Sequence, residues 1–157
     1  MTGAYDIVLF LHSNLRWLVL VLLVGTVLNA LGGWLGRRGW APRDNALSGT
    51  LVGLADLQFL LGLALVLGLS PHYNLLDGVD MKVRHDRFFS VEHFSLMFLA
   101  IGALHIGRVR AKKAGSAPDK HRAIAVACLI AAVLIAASIP WPFRDLEVAR
   151  PLFRTGF

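Results

Sequence analysis

The chain has 157 residues, of which 56% are hydrophobic and 17% charged, and its mean hydropathy is +0.62. A soluble domain is ordinarily about 45–50% apolar and about 25% charged, so a single membrane domain over residues 1–157 is expected, with little soluble mass beside it. The net charge of +6 does not argue for nucleic acid, because most of the cations fall in short segments between apolar runs, where they set topology.

Residues 1–6 lack Lys and Arg, Asp6 is acidic, and the apolar run that follows is too long for a signal-peptide core. That run is read as a retained first span, from about Ile7 to Leu35, interrupted by His12, Asn14, Arg16 and Asn29. The second span, about Ala46 to Ser70, is broken by Asp56 and Gln58 and stops at Pro71. The third, about Phe88 to Ile106, contains Glu92, His93 and His105. The fourth, about Ala123 to Ile139, carries no charge and ends at Pro140-Trp141-Pro142-Phe143. Each run approaches or exceeds the roughly 20 residues a helix needs to cross the hydrocarbon core. The single Cys128 lies in the fourth run and is read as a packing residue.

The fold class is therefore all-α, an integral membrane four-helix bundle. Connections of about 10, 17 and 16 residues fit up-down-up-down order. The first and third loops hold nine basic residues: Arg37, Arg38, Arg43, Arg108, Arg110, Lys112, Lys113, Lys120 and Arg122. The opposite side holds six: Lys82, Arg84, Arg87, Arg144, Arg150 and Arg154. Because orientation follows Lys and Arg rather than net charge, both termini are expected outside. The outer loop 71–87, with His72, Met81 and His85, and the tail from Trp141 to Phe157 are expected to lie on the membrane surface or dock on a partner.

Ionisable groups inside a bilayer are expensive and need a partner or a purpose. Here they are His12, Arg16, Asp56, Glu92, His93 and His105. His12 and His93 each lie five positions inside the outer end of their spans, roughly 7.5 Å deep at about 1.5 Å per residue. They are thus level, on helices that are diagonal in a simple bundle, where two inward imidazoles can be axial ligands to one haem iron. Arg16, one turn below His12, is read as a partner for a haem propionate, Glu92 or Asp56. The same histidines with Glu92 could instead bind copper or zinc, although a zinc site wants a fourth ligand. His105 lies 12 positions beyond His93, turned by roughly 120°, and no partner is evident at its depth. It is read as a satisfied core residue or one on a quinone side. Gly49, Gly53, Asp56, Leu60 and Ala64 form a seam on the second span, with Gly49 and Gly53 read chiefly as helix packing. No Gly-rich phosphate loop, Cys-X-X-Cys or His-Glu-X-X-His is present.

The strings His12-Ser-Asn-Leu-Arg16-Trp17, Arg87-Phe-Phe-Ser-Val-Glu92-His93, Lys120-His121 and Ile139-Pro-Trp-Pro-Phe143 resemble a group of small four-span bacterial inner-membrane proteins, mostly uncharacterised and sometimes described as cytochrome b-like. More loosely the layout resembles b-type four-helix cytochromes, in which His pairs on separate helices bind haem. This chain departs from the two-haem version by lacking a second level pair of histidines. The resemblance implies a multi-pass protein of the bacterial inner membrane.

Two functions are expected from these observations. One is a b-type haem protein in quinol-linked electron transfer, with His12 and His93 as ligands, Arg16 on the propionates or a quinone carbonyl, and haem b and quinone as cofactors. The other is a non-catalytic accessory subunit packing against a larger respiratory or photosynthetic complex or a second copy of itself. A transporter is the weakest alternative, since four helices without a repeat make a poor alternating-access machine.

Overall fold

A computed structural model describes residues 3–72 and 74–156; Phe157, the last residue of the expected surface tail, lies outside them. Four helices are long and apolar enough to cross a membrane: α1 (Ala4–Leu35), α2 (Pro42–Leu69), α3 (Arg84–Lys113) and α4 (Ala117–Ser138). No strand occurs among the described residues.

The helices start and stop where backbone chemistry dictates. Pro42 opens α2, and the Asp44 carboxylate one turn in accepts the Ala41 N–H at 2.7 Å, satisfying a donor the helix cannot. Ser116 caps α4 by accepting the Asp119 N–H. Pro71 and Pro140 follow the ends of α2 and α4, since a residue before proline leaves the helical region. Phe88–His93 in α3 and Leu65–Leu69 in α2 form wider π-helical turns, a device that re-aims the side chains beside it and is common near functional sites.

The helices outrun the apolar runs at the basic end. Residues 107–113 and 117–122 are helical, leaving 114–116 as the only connection between α3 and α4 instead of the expected loop of about 16 residues. Hydropathy marks the stretch that meets hydrocarbon, whereas Lys, Arg and Ala continue a helix into the interface at little cost.

Helix α1 packs on α2 and α4, and α3 packs on α2 and α4, so α1 and α3 face each other across a diagonal. Small residues set the closest approach: a Cβ at Gly107 of α3 would fall 2.3 Å from the Ala127 Cβ of α4. Ala125, Ala131 and Cys128 of α4 are buried as well, which fits packing roles for the alanines and for the cysteine. Val21, Leu28 and Val133 lie outward and exposed, as lipid-facing side chains do when the bilayer supplies the apolar surroundings.

The Gly49–Gly53 seam meets α3 only through polar side chains, Arg108 over Gly49 and His105 on Asp56, and not by close backbone packing. Gly49 receives the Arg108 side chain, while nothing comes within 4 Å of a Cβ at Gly53, and Leu60 is exposed. The inward face of α2 is instead Leu51, Val52, Ala55 and Gln58.

Candidate functional site

His12 and His93 meet. Their ring centroids lie 6.3 Å apart with the ring planes at 74°, and His93 reaches that level at the end of the π-helical turn Phe88–His93. Each ring is held by a carbonyl from a neighbouring helix. His12 Nδ1 lies 3.1 Å from the Gln58 carbonyl oxygen of α2, and His93 Nδ1 lies 2.8 Å from that of Ser138 at the end of α4. A carbonyl can only accept, so His93 Nδ1 donates to it and Nε2 keeps the lone pair, whereas His12 Nδ1 lies between the Gln58 carbonyl and the Gln58 side-chain amide nitrogen, 3.2 Å away. The Ser138 carbonyl is available because α4 ends there, with Ile139 extended before Pro140, and the last carbonyls of a helix have no partner within it.

Gln58 and Gly62 shape the His12 side. The Gln58 amide donates to the His12 carbonyl at 2.8 Å, tying the two helices at the level of the ring. Gly62 stands one turn beyond Gln58, and a Cβ there would lie 2.9 Å from His12 Cε1. The absence of a side chain at 62 is what lets the imidazole reach the Gln58 carbonyl. Gly62→Ala should therefore cost about 1–3 kcal/mol through overpacking, read by thermal unfolding in detergent. Gly53→Ala, with open space around its Cβ, should leave the transition unchanged.

The rings open on a cleft with about 1500 Å³ of empty space, part of it continuous with the exterior. Its deep wall is apolar, with Val19, Leu20, Ala100, Ile101, Leu104 and Ile135. Its mouth is cationic, with Arg16, Arg150 and Arg154 beside His72 and His85. Both Arg16 Nε and Arg154 Nε are buried without a hydrogen-bond partner, an expensive condition for a guanidinium.

The mouth is completed by the tail, which folds back over α1. Arg16 donates to the Pro151 and Leu152 carbonyls, Trp17 Nε1 donates to Leu152 O at 2.8 Å, and Asn14 donates to Arg154 O at 3.2 Å. Trp17 stacks on Phe153, and Val148 is fully buried. Arg144 also donates to the Ala137 carbonyl at the end of α4. The tail thus also forms part of the cleft, because its carbonyls satisfy polar groups on the outer half of α1, while Phe143, Leu146 and Phe153 stay exposed on its outer surface. Arg150 and Arg154, counted from sequence only as outer cations, line the cleft, and their irregular spacing offers no periodic signal of it.

The other ionisable groups pair away from Arg16. Glu92 accepts from Arg84 at 2.7 Å and Arg87 at 3.0 Å. His105, expected to lack a partner, lies with Nε2 2.9 Å from Asp56 Oδ1. The span-end estimate placed His105 at the inner surface, but α3 continues to Lys113, which moves it inward to the level of Asp56. That pair is half exposed on the outward α2–α3 face, while its chain neighbours Ala55 and Leu104 line the cleft.

The donor set decides what the cleft can hold. No group of three or more His, Cys, Asp or Glu able to hold a metal ion occurs among the described residues, so a closed zinc site of four protein ligands is not formed. Two neighbouring imidazoles, with ring centroids 6.3 Å apart, are a donor pair for a metal whose remaining ligands come from elsewhere. Set against known protein families, curated proteins and solved structures, the chain matches none of them.

Proposed function

We propose that this chain is a b-type haem protein of the bacterial inner membrane that carries electrons in a quinol-linked reaction, with His12 and His93 as the axial ligands. The observation that carries this reading is the pair of imidazoles with ring centroids 6.3 Å apart, close to the roughly 6 Å expected when two imidazoles bind one metal through bonds of about 2 Å, each with Nδ1 near a helix carbonyl. Bound haem would supply a one-electron carrier in a site of low polarity.

The chain's own residues then have separable tasks. The Gln58 and Ser138 carbonyls fix the tautomer and orientation of the two rings and raise their basicity, as outer-shell acceptors do for metal-bound histidine. Arg16 and Arg154, each with an unpaired buried Nε, suit the carboxylates on the edge of the macrocycle, where charge-assisted bonds are strong. The apolar wall excludes water. The outward-facing His105–Asp56 pair supports the quinol link, because it offers a hydrogen-bond acceptor to a hydroxyl arriving through hydrocarbon. The count of nine basic residues at one end against six at the other supports both termini outside.

The absorption spectrum of protein purified from haem-replete cells tests the reading. A Soret band, with alpha and beta bands that sharpen on reduction, is the expected result. A colourless, folded protein would remove the haem assignment and leave the accessory-subunit reading, in which the polar groups only fasten helices together.

A further inference from the structure

The end of the bundle opposite the imidazoles has a cleft of its own, with about 530 Å³ of empty space between α2, α3 and α4. Arg108, Lys112 and Lys120 line it with Trp40, Asn45 and Ser48, and no carboxylate is among the lining residues. Arg108 is fixed in place. Its Nη1 donates to Ser48 Oγ at 2.7 Å and to the Asn45 carbonyl at 3.0 Å, and Nη2 lies 3.4 Å from Asn45 Oδ1. Gly49 gives it room, since a Cβ there would lie 3.2 Å from Nη1. All three acceptors are neutral, so the guanidinium is oriented while its charge stays unbalanced.

The nearby acids are committed elsewhere. Asp44 is held by Arg38, Asn29 and the Ala41 N–H, and Asp119 by Ser116. Neither Lys112 nor Lys120 has an ion-pair partner among the described residues. Three cations gathered round an open space repel one another unless an anion joins them.

We propose that this cleft binds the phosphate of an anionic phospholipid, with Arg108 as the oriented donor and Lys112 and Lys120 as flexible charges closing over it. A lipid fits better than a free phosphate because the cleft is bounded on its apolar side by Ala111 and Ile124. Val109, on the same helix as Arg108 and Lys112, is exposed, as a side chain meeting acyl chains would be. Trp40 on the wall marks interfacial depth, and basic pockets between membrane helices are known hosts for such headgroups. The proposal stands whatever the imidazole cleft holds.

Native mass spectrometry of the full chain in neutral detergent tests it. Short-chain phosphatidylglycerol, phosphatidylcholine and inorganic phosphate are titrated in parallel. Phosphatidylglycerol should bind as one preferred adduct, phosphatidylcholine should not, and matched inorganic phosphate should fail to displace the lipid. A Lys112→Gln/Lys120→Gln double variant should weaken phosphatidylglycerol binding about 25-fold, from about fivefold per charge. Lys82→Gln, at the other end of the bundle, should leave it unchanged. Equal binding of the two lipids, or undiminished binding by the double variant, would overturn the proposal. Displacement by matched inorganic phosphate would also overturn it, in favour of a soluble phosphorylated ligand. The lysines lie on helix surfaces away from the core, so the double variant should keep the wild-type circular dichroism, and Arg108→Gln provides a second variant with the same expected direction.

Discussion

His12→Ala and His93→Ala, each purified from haem-replete cells, should lose the reducible alpha and beta bands that the unaltered protein shows, while His105→Ala keeps them. The contrast follows from geometry. Nδ1 of His12 and of His93 is occupied by a carbonyl, so each ring has one nitrogen to give, and the two rings together supply two ligands and no spare. The other imidazoles of the cleft, His72 and His85, line it at the mouth, and among the remaining lining residues Met97 is the only thioether, with no carboxylate, thiol or lysine. His105 instead engages Asp56 on the outer face of the bundle, where it can affect the approach of a quinol without touching the bands. Retention of full bands in both alanine variants would remove these two residues as ligands even if the protein were coloured. Loss of bands in His105→Ala as well would mean that the bands report the fold and not the ligand pair.

Asp44→Ala should lower stability by about 3 kcal/mol, the largest cost expected from any single truncation outside the cleft. The Asp44 side chain is 1% exposed and serves four donors. Arg38 reaches it through both terminal nitrogens at 3.0 and 2.8 Å, Asn29 Nδ2 at 2.8 Å, and the Ala41 N–H at 2.7 Å. With the carboxylate beside it, the Arg38 guanidinium is held protonated even more firmly than usual. Alanine would strand these donors at the junction of α1, α2 and the turn between them. Trp40 in that turn packs against the ring of buried His121 from α4, so the loss would spread to a third helix. Asp44→Asn keeps the shape and part of the bonding, and should cost about 1–2 kcal/mol. Thermal unfolding in one detergent compares the three proteins. Equal transition temperatures for all three would show that the network adds nothing to the fold.

The spans were legible because burial in a bilayer demands long apolar runs, which composition cannot hide. The imidazole pair was legible for a related reason. Rise per residue is constant along a helix, so equal counts from equivalent ends give equal depth. What escaped the sequence depends on contacts between segments with no shared period. Gly62 reads as an ordinary membrane-helix glycine until the His12 ring is placed against it. Asp44 carried a local sign, an acid just inside a proline-initiated helix, but its tie to Asn29 spans two helices. The link between Asp56 and His105 was missed because span ends taken from hydropathy fell short of the true helix end by about two turns.

Synthesis order gives the C-terminal tail a further meaning. Ribosomes deliver His12 first, His93 much later, the Ser138 carbonyl after that, and Arg150 and Arg154 later still. Any guest whose negative charge depends on those guanidiniums can be secured only once the tail has been made and has closed over α1. A nascent chain stalled near Ser138 would display both imidazoles beneath a doorway that still lacks its latch.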